Sequence, residues 1–393
     1  MSFETPRSKI LLLAIAQAFY SCCVITVFAT AGLVGLTLAP SKGLATLPVT
    51  AYVIGSMLAT IPVSFLMKRF GRVPVFASGA AVSCLGALVS AWAIYQGQFW
   101  IFIAGCAVQG TYQATSSFHS FAAAEVAGPE DKSIAISWVL TGGVVAAVLG
   151  TLIASGSANL IMPYAFMGSY VAAAVLAAIG FLLFAWLKLP RPTAAEIAGP
   201  QRSWPELLAQ PKLVIAMATA TFSFALMSLM MTAAPVAMFG CGFSKDASTW
   251  VIQWHVLGMF VPSFFTGVLI KRFGVNLITG LGMAILFIAG TTALAGISFL
   301  NFSAALILLG LGWNFGFIGG TTMLTSTYQP AERAKVQAVN NFAVSVMVAI
   351  ASFSSGQMLT QFGWASVALT VMPIAALMLG VILLRARTKV VSV

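Results

Sequence analysis

Charge is what this chain has least of. Only 7% of its 393 residues are Asp, Glu, Lys or Arg, while 60% are hydrophobic. A soluble domain of that length needs a charged surface, so a water-soluble globule is excluded. Acids are the scarcest: Glu4, Glu125, Glu130, Asp131, Glu196, Glu206, Asp246 and Glu332, all in loops, tails or the last turn of an apolar stretch. Missing with them are the paired carboxylates of acid–base enzymes, the acidic clusters that hold Mg²⁺ or Ca²⁺, and the buried carboxylates that relay protons in membrane carriers. The two histidines form no Ser/His/acid set, and no glycine-rich phosphate loop or cofactor motif is present, so neither an enzyme nor a bound cofactor is expected. The five cysteines (Cys22, Cys23, Cys84, Cys106, Cys241) mostly sit within apolar stretches, where they read as small apolar residues and not as a disulfide framework.

Long apolar runs fill the chain instead, with a mean hydropathy of +1.01. Crossing a bilayer takes about 20 apolar residues in a helix. Such runs recur between charged or Pro/Gly-rich breaks at 10–38, 46–67, 73–95, 99–126, 133–157, 161–187, 211–240, 248–270, 275–297, 302–327, 335–360 and 364–384. The expected fold is thus an all-α membrane protein of twelve transmembrane helices. The first helix reads as retained, because no small-residue cleavage pattern precedes its full spanning length. Lys and Arg accumulate in cytoplasmic loops. With both termini cytoplasmic, all of the 19 basic residues except Lys42 and Lys245 fall on that side. Topology and anionic lipid head groups therefore account for the net charge of +11 without nucleic acid.

The two halves echo one another. Ser64-Phe65-Leu66-Met67-Lys68-Arg69-Phe70-Gly71-Arg72 returns as Gly267-Val268-Leu269-Ile270-Lys271-Arg272-Phe273-Gly274, and Pro129-Glu130-Asp131-Lys132 as Pro330-Ala331-Glu332-Arg333. Residues 1–187 and 213–393 read as six-helix halves and 188–212 as a cytoplasmic linker, the parallel-repeat plan of secondary transporters. In these residues the chain resembles the major facilitator superfamily, whose loop between helices two and three runs G-x-x-x-D-R-x-G-R. Arg69, Gly71 and Arg72 match, whereas Ser64 and Lys68 replace the first glycine and the acid. The resemblance implies carriage by alternating access, and the missing acid shifts the expected latch to Glu125, Asp131 or Glu332 with basic loop residues.

Two spans carry soft metal ligands one turn apart: Met227 with Met231, and His255 with Met259. Side chains at i and i+4 share a helix face. From 17 methionines, about 0.7 Met-x-x-x-Met pairs arise by chance, but only about 0.09 His-x-x-x-Met pairs from two histidines, so the second motif is the more informative. Counted from the outer surface, Met231 and His255 lie about nine residues deep and Met227 and Met259 about thirteen, forming matching layers. Three thioethers and an imidazole suit Cu(I) better than Zn(II), Mn(II) or Mg(II). Met238 and Cys241, at the outer end of the seventh span, are weaker candidates for an entry path. His119 on the fourth span is either a relay ligand or a histidine hydrogen-bonded to a helix neighbour. Trp313 and Asn314 stay outside the expected site.

These residues match, position by position, the signature of CcoA-like copper importers: M-x-x-x-M on helix seven and H-x-x-x-M on helix eight. That resemblance implies copper uptake across the bacterial inner membrane for assembly of cbb3-type cytochrome oxidase, with copper as cargo and a copper carrier possible on either side. A monomer in the lipid bilayer is expected. Two alternatives stand: a major facilitator carrier of an organic solute or drug, with a cavity lined from the 29 Phe and 17 Met, and a copper-sensing membrane receptor.

Overall fold

The computed structural model describes residues 5–41, 44, 47–190 and 199–388. Glu4, Lys42, Arg191, Glu196 and Lys389 lie outside the described residues, as do the side chains of Lys245, Asp246, Arg385 and Arg387. Helices follow one another: α1 (Pro6–Leu38), α2 (Leu47–Phe70), α3 (Arg72–Tyr95), α4 (Phe99–Ser116), α5 (His119–Ala127), α6 (Lys132–Gly156), α7 (Met167–Leu183), α8 (Trp204–Leu208), α9 (Pro211–Gly240), α10 (Lys245–Phe260), α11 (Ser263–Phe273), α12 (Val275–Leu294), α13 (Phe299–Leu324), α14 (Arg333–Phe362) and α15 (Trp364–Thr388). Among the described residues, ten spans are long and apolar enough to cross a membrane, with α10 and α11 together making one of them. The other two expected spans are interrupted.

The fourth span, expected over 99–126, breaks at Ser117 and Phe118 into α4 and α5. Hydroxyls compete with the helix ladder there: Thr115 Oγ1 donates to the Tyr112 carbonyl at 3.0 Å and Ser117 Oγ to the Ala114 carbonyl at 2.8 Å. The sixth span, expected over 161–187, is helical only over Met167–Leu183. Pro163 supplies no N–H to an earlier turn, and Phe166 sits at φ 67° immediately before the helix. The eighth span breaks at Pro262, the residue before α11.

The repeated Phe-Gly has a backbone reason. Gly71 joins α2 to α3 at φ 86° and Gly274 joins α11 to α12 at φ 88°. In that region a Cβ is strained, so both sharp corners need glycine.

Contacts divide the chain into two compact units. Unit 1 comprises Met1–Ala127, Val139–Pro200 and Pro330–Phe342; unit 2 comprises Gly128–Trp138, Gln201–Gln329 and Ala343–Val393. In unit 1, Arg72 Nη2 meets Glu125 Oε1 at 2.5 Å and Gln337 Oε1 at 2.9 Å, while Arg333 Nη1 meets Glu125 Oε2 at 2.8 Å. Glu125 thus holds two guanidinium groups, with Lys68 standing where the superfamily pattern has its acid. Ser64 Oγ, in place of the pattern's first glycine, donates to the Ala334 carbonyl at 2.7 Å. In unit 2, Lys271 pairs with Asp131 at 2.7 Å, and Ser133 and Ser137 donate to the carbonyls of Gly267 and Ser263.

Candidate functional site

Helix α13 is the hub of unit 2, and its glycines set how closely three neighbours approach. A Cβ on Gly310 would lie 2.6 Å from the His255 carbonyl oxygen of α10; on Gly312, 2.9 Å from Leu286 N of α12; on Gly320, 2.8 Å from Ala220 N of α9. One on Gly316 would run into Ser223 of α9. At roughly 100° per residue, Trp313 and Phe317 occupy the arc of α13 between the faces that meet α9 and α10.

An aromatic corner fills that arc. The Trp313 and Phe317 rings stack at 5.4 Å with 7° between planes. Phe224 of α9 presents its edge to both, 5.0 Å from each at 90° and 88°. Phe260 of α10 meets Trp313 at 5.7 Å and 79°. Trp313 is only 1% exposed, whereas Phe224, Phe260 and Phe317 remain half-buried. Trp313 Nε1 is buried without a hydrogen-bond acceptor. One turn along α9 the chemistry changes: Ser228 lies 2.8 Å from the Ser352 hydroxyl of α14, and Thr232 lies 3.3 Å from it.

The ligand residues read from sequence also lie in unit 2, apart from His119. Met227, Met238 and Met259 are buried in one apolar cluster with Trp313, and Met231 packs against its edge. His255 is fully buried, and its Nδ1 lies 2.7 Å from the Leu306 carbonyl. A carbonyl only accepts, so Nδ1 carries the proton and Nε2 holds a lone pair, buried and unpartnered. Cys241 is exposed at the end of α9. His119 belongs to unit 1, where Nδ1 donates to Gln17 Oε1 at 2.9 Å and the ring stands edge-on to Phe76 at 4.6 Å. Its Nε2, like that of His255, is buried without a partner. Among the described residues no three His, Cys, Asp or Glu side chains gather where they could hold a metal ion.

Asn314 has a different task from any foreseen. Its Nδ2 donates to the Met259 carbonyl and to Ser263 Oγ, both at 2.6 Å, and Oδ1 accepts from Thr266 Oγ1 at 2.7 Å. Pro262 interrupts the helix ladder here, and the amide re-satisfies the backbone it exposes. Sequence reasoning passed over Phe224, Phe260, Trp313 and Phe317 as a group. The i, i+4 spacing of Trp313 and Phe317 was the available signal, but it does not identify the partner rings on other helices.

Residues 11–252 and 216–392 match the family description of the Major Facilitator Superfamily. The chain belongs to the major facilitator superfamily. Membership makes it a multi-pass membrane protein and a secondary transporter, not an enzyme. This superfamily carrier is similar to the riboflavin transporter RfnT of Brucella anthropi, 40% identical over 387 residues that cover 98% of this chain and 97% of that protein. In fold it is similar to the human organic anion transporter MFSD10 (TETRAN), with a TM-score of 0.79 at 13% identity, covering 96% of this chain and 99% of the other. It is likewise similar to the proton:xylose symporter XylE, with a TM-score of 0.76 at 14% identity and 96% of each chain covered. At such identities the two structures speak for the fold alone.

Proposed function

We propose that this carrier moves an organic solute of the flavin class, riboflavin or a close analogue, across the bacterial inner membrane by alternating access. The observation that carries the reading is the 40% identity with a riboflavin transporter over almost the whole of both chains. Two physical features support it. A neutral cargo needs no counter-charge at mid-depth, and no carboxylate lies there in the sequence. A tricyclic ring needs aromatic surface, and the Trp313 corner offers it half-buried. The carrier acts as a monomer with both termini cytoplasmic, an orientation that reporter fusions at either end test.

Copper import is the second reading. It keeps the support of the CcoA-like signature, of three buried methionines in one cluster, and of the unpartnered His255 Nε2. Under it, Met227, Met231, His255 and Met259 hold Cu(I), and the cargo feeds cbb3-type oxidase assembly.

One experiment separates the two readings. Cells lacking their own riboflavin synthesis and uptake, expressing this chain, are given radiolabelled riboflavin or radioactive copper. Riboflavin uptake that excess copper leaves unchanged establishes the first reading. Copper uptake lost in His255→Ala and Met227→Ala, with no riboflavin uptake, replaces it with the second.

A further inference from the structure

We infer that Phe224, Trp313 and Phe317 hold the ring of a planar heteroaromatic cargo, while the hydroxyl row of Ser228, Thr232 and Ser352 takes its polyol tail. This rests on the organic-solute reading above and goes beyond it by dividing the cargo between two kinds of surface.

Aromatic side chains in a membrane core usually pack. One observation sets this group apart. Trp313 is only 1% exposed while Phe317, stacked on it, stays half-buried, so the accessible end of the stack is Phe317, where one more ring can add to it. Phe224 stands edge-on to both stacked rings and forms the wall at their side.

The tail assignment follows from the helix repeat. Ser228 is four residues from Phe224 and Thr232 four further, so all three share one face of α9 at about 5.4 Å per turn. Ser228 and Thr232 both contact the Ser352 hydroxyl, so the hydroxyls sit together and can exchange donor and acceptor roles. A molecule with a flat apolar ring and a short chain of hydroxyls matches that sequence of surfaces, ring first and hydroxyls one turn on. A ring without a polyol matches only half of it.

The test crosses two probes with two kinds of variant in cells or proteoliposomes, at equal amounts of folded protein verified by size-exclusion chromatography. Riboflavin carries ring and ribityl chain; lumiflavin carries the ring with a methyl group in place of the chain. Lumiflavin is expected to inhibit riboflavin uptake competitively. Phe317→Leu and Phe224→Leu should raise both the riboflavin KM and the lumiflavin inhibition constant about tenfold while the maximal rate is kept, the scale of one weakened stacking contact. Ser228→Ala with Ser352→Ala should raise the riboflavin KM severalfold and leave lumiflavin inhibition unchanged.

A purely structural role for these rings would lower the amount of folded carrier or its maximal rate at constant KM. Riboflavin uptake with an unaltered KM in the ring variants, or without lumiflavin competition, overturns the inference and leaves the flavin reading standing. Absence of riboflavin uptake and of lumiflavin binding in the wild-type carrier overturns both.

Discussion

Replacing Asn314 by leucine removes the amide that bridges the break between α10 and α11 while keeping the branched heavy-atom shape of the side chain. Three hydrogen bonds go: two donated by Nδ2, to the Met259 carbonyl and Ser263 Oγ at 2.6 Å, and one accepted from Thr266 at 2.7 Å. Thr266 Oγ1 keeps the Pro262 carbonyl at 2.8 Å, so the orphans are the Met259 carbonyl and the Ser263 hydroxyl. A buried orphan costs about 1–3 kcal/mol in soluble proteins, whereas interhelical hydrogen bonds in bilayers average nearer 0.6 kcal/mol. Two orphans beside a proline-broken helix therefore predict a loss of about 2–4 kcal/mol for Asn314→Leu. Asn314→Asp should be at least as damaging, since it loses both donors and brings a carboxylate into the core. The assay is reversible unfolding of the purified carrier by titration with a denaturing detergent, followed by circular dichroism. Thr266→Val made on top of Asn314→Leu should cost less than Thr266→Val alone, because the bond between them is already gone. Stability of Asn314→Leu within about 0.5 kcal/mol of wild type would refute the assignment of this amide as the clamp of the break.

Gly71→Ala and Gly274→Ala each place a Cβ at φ 86–88° with ψ 148–170°, outside the left-handed helical region, and should each cost about 1–3 kcal/mol, with Asn no better tolerated than Ala; thermal denaturation in detergent checks both. Glu125→Gln removes the shared partner of Arg72 and Arg333, leaving two partly buried cations facing one another; a loss on the order of 2 kcal/mol is expected. Reversal by the double variant Glu125→Gln, Arg333→Gln would show that the uncompensated charge is the cause. Gly316→Val drives a side chain into Ser223 and should abolish stable expression, whereas Gly356→Val, with no atom within 4 Å of its Cβ position, should be neutral; fluorescence size-exclusion profiles of fusions distinguish them.

Much of this protein is written in one dimension. The bilayer demands apolar runs of a set length and the chain has little else, so hydropathy alone located the spans to within a few residues at most ends. The doubled Lys-Arg-Phe-Gly marks two corners that need positive φ, a requirement visible at the level of a single residue. Two spans expected as continuous are broken: the eighth, over 248–270, at Pro262, and the fourth, over 99–126, at Ser117, where hydroxyl competition decides.

Counting residues from the membrane surface gives a side chain's height on its helix and not the direction in which it faces. Met227, Met231, His255 and Met259 form matching layers by that count, while the direction of the His255 ring is set by a contact with a third helix. The close approach at Gly310 turns His255 Nδ1 onto the Leu306 carbonyl. Gly316 and Gly320 bring α9 against α13, so that Phe224 meets rings some 90 residues away in sequence. Composition and period determined that this is a helical membrane carrier; which side chains share a site was decided by helix rotation and packing, because those depend on where small residues on one helix let another approach.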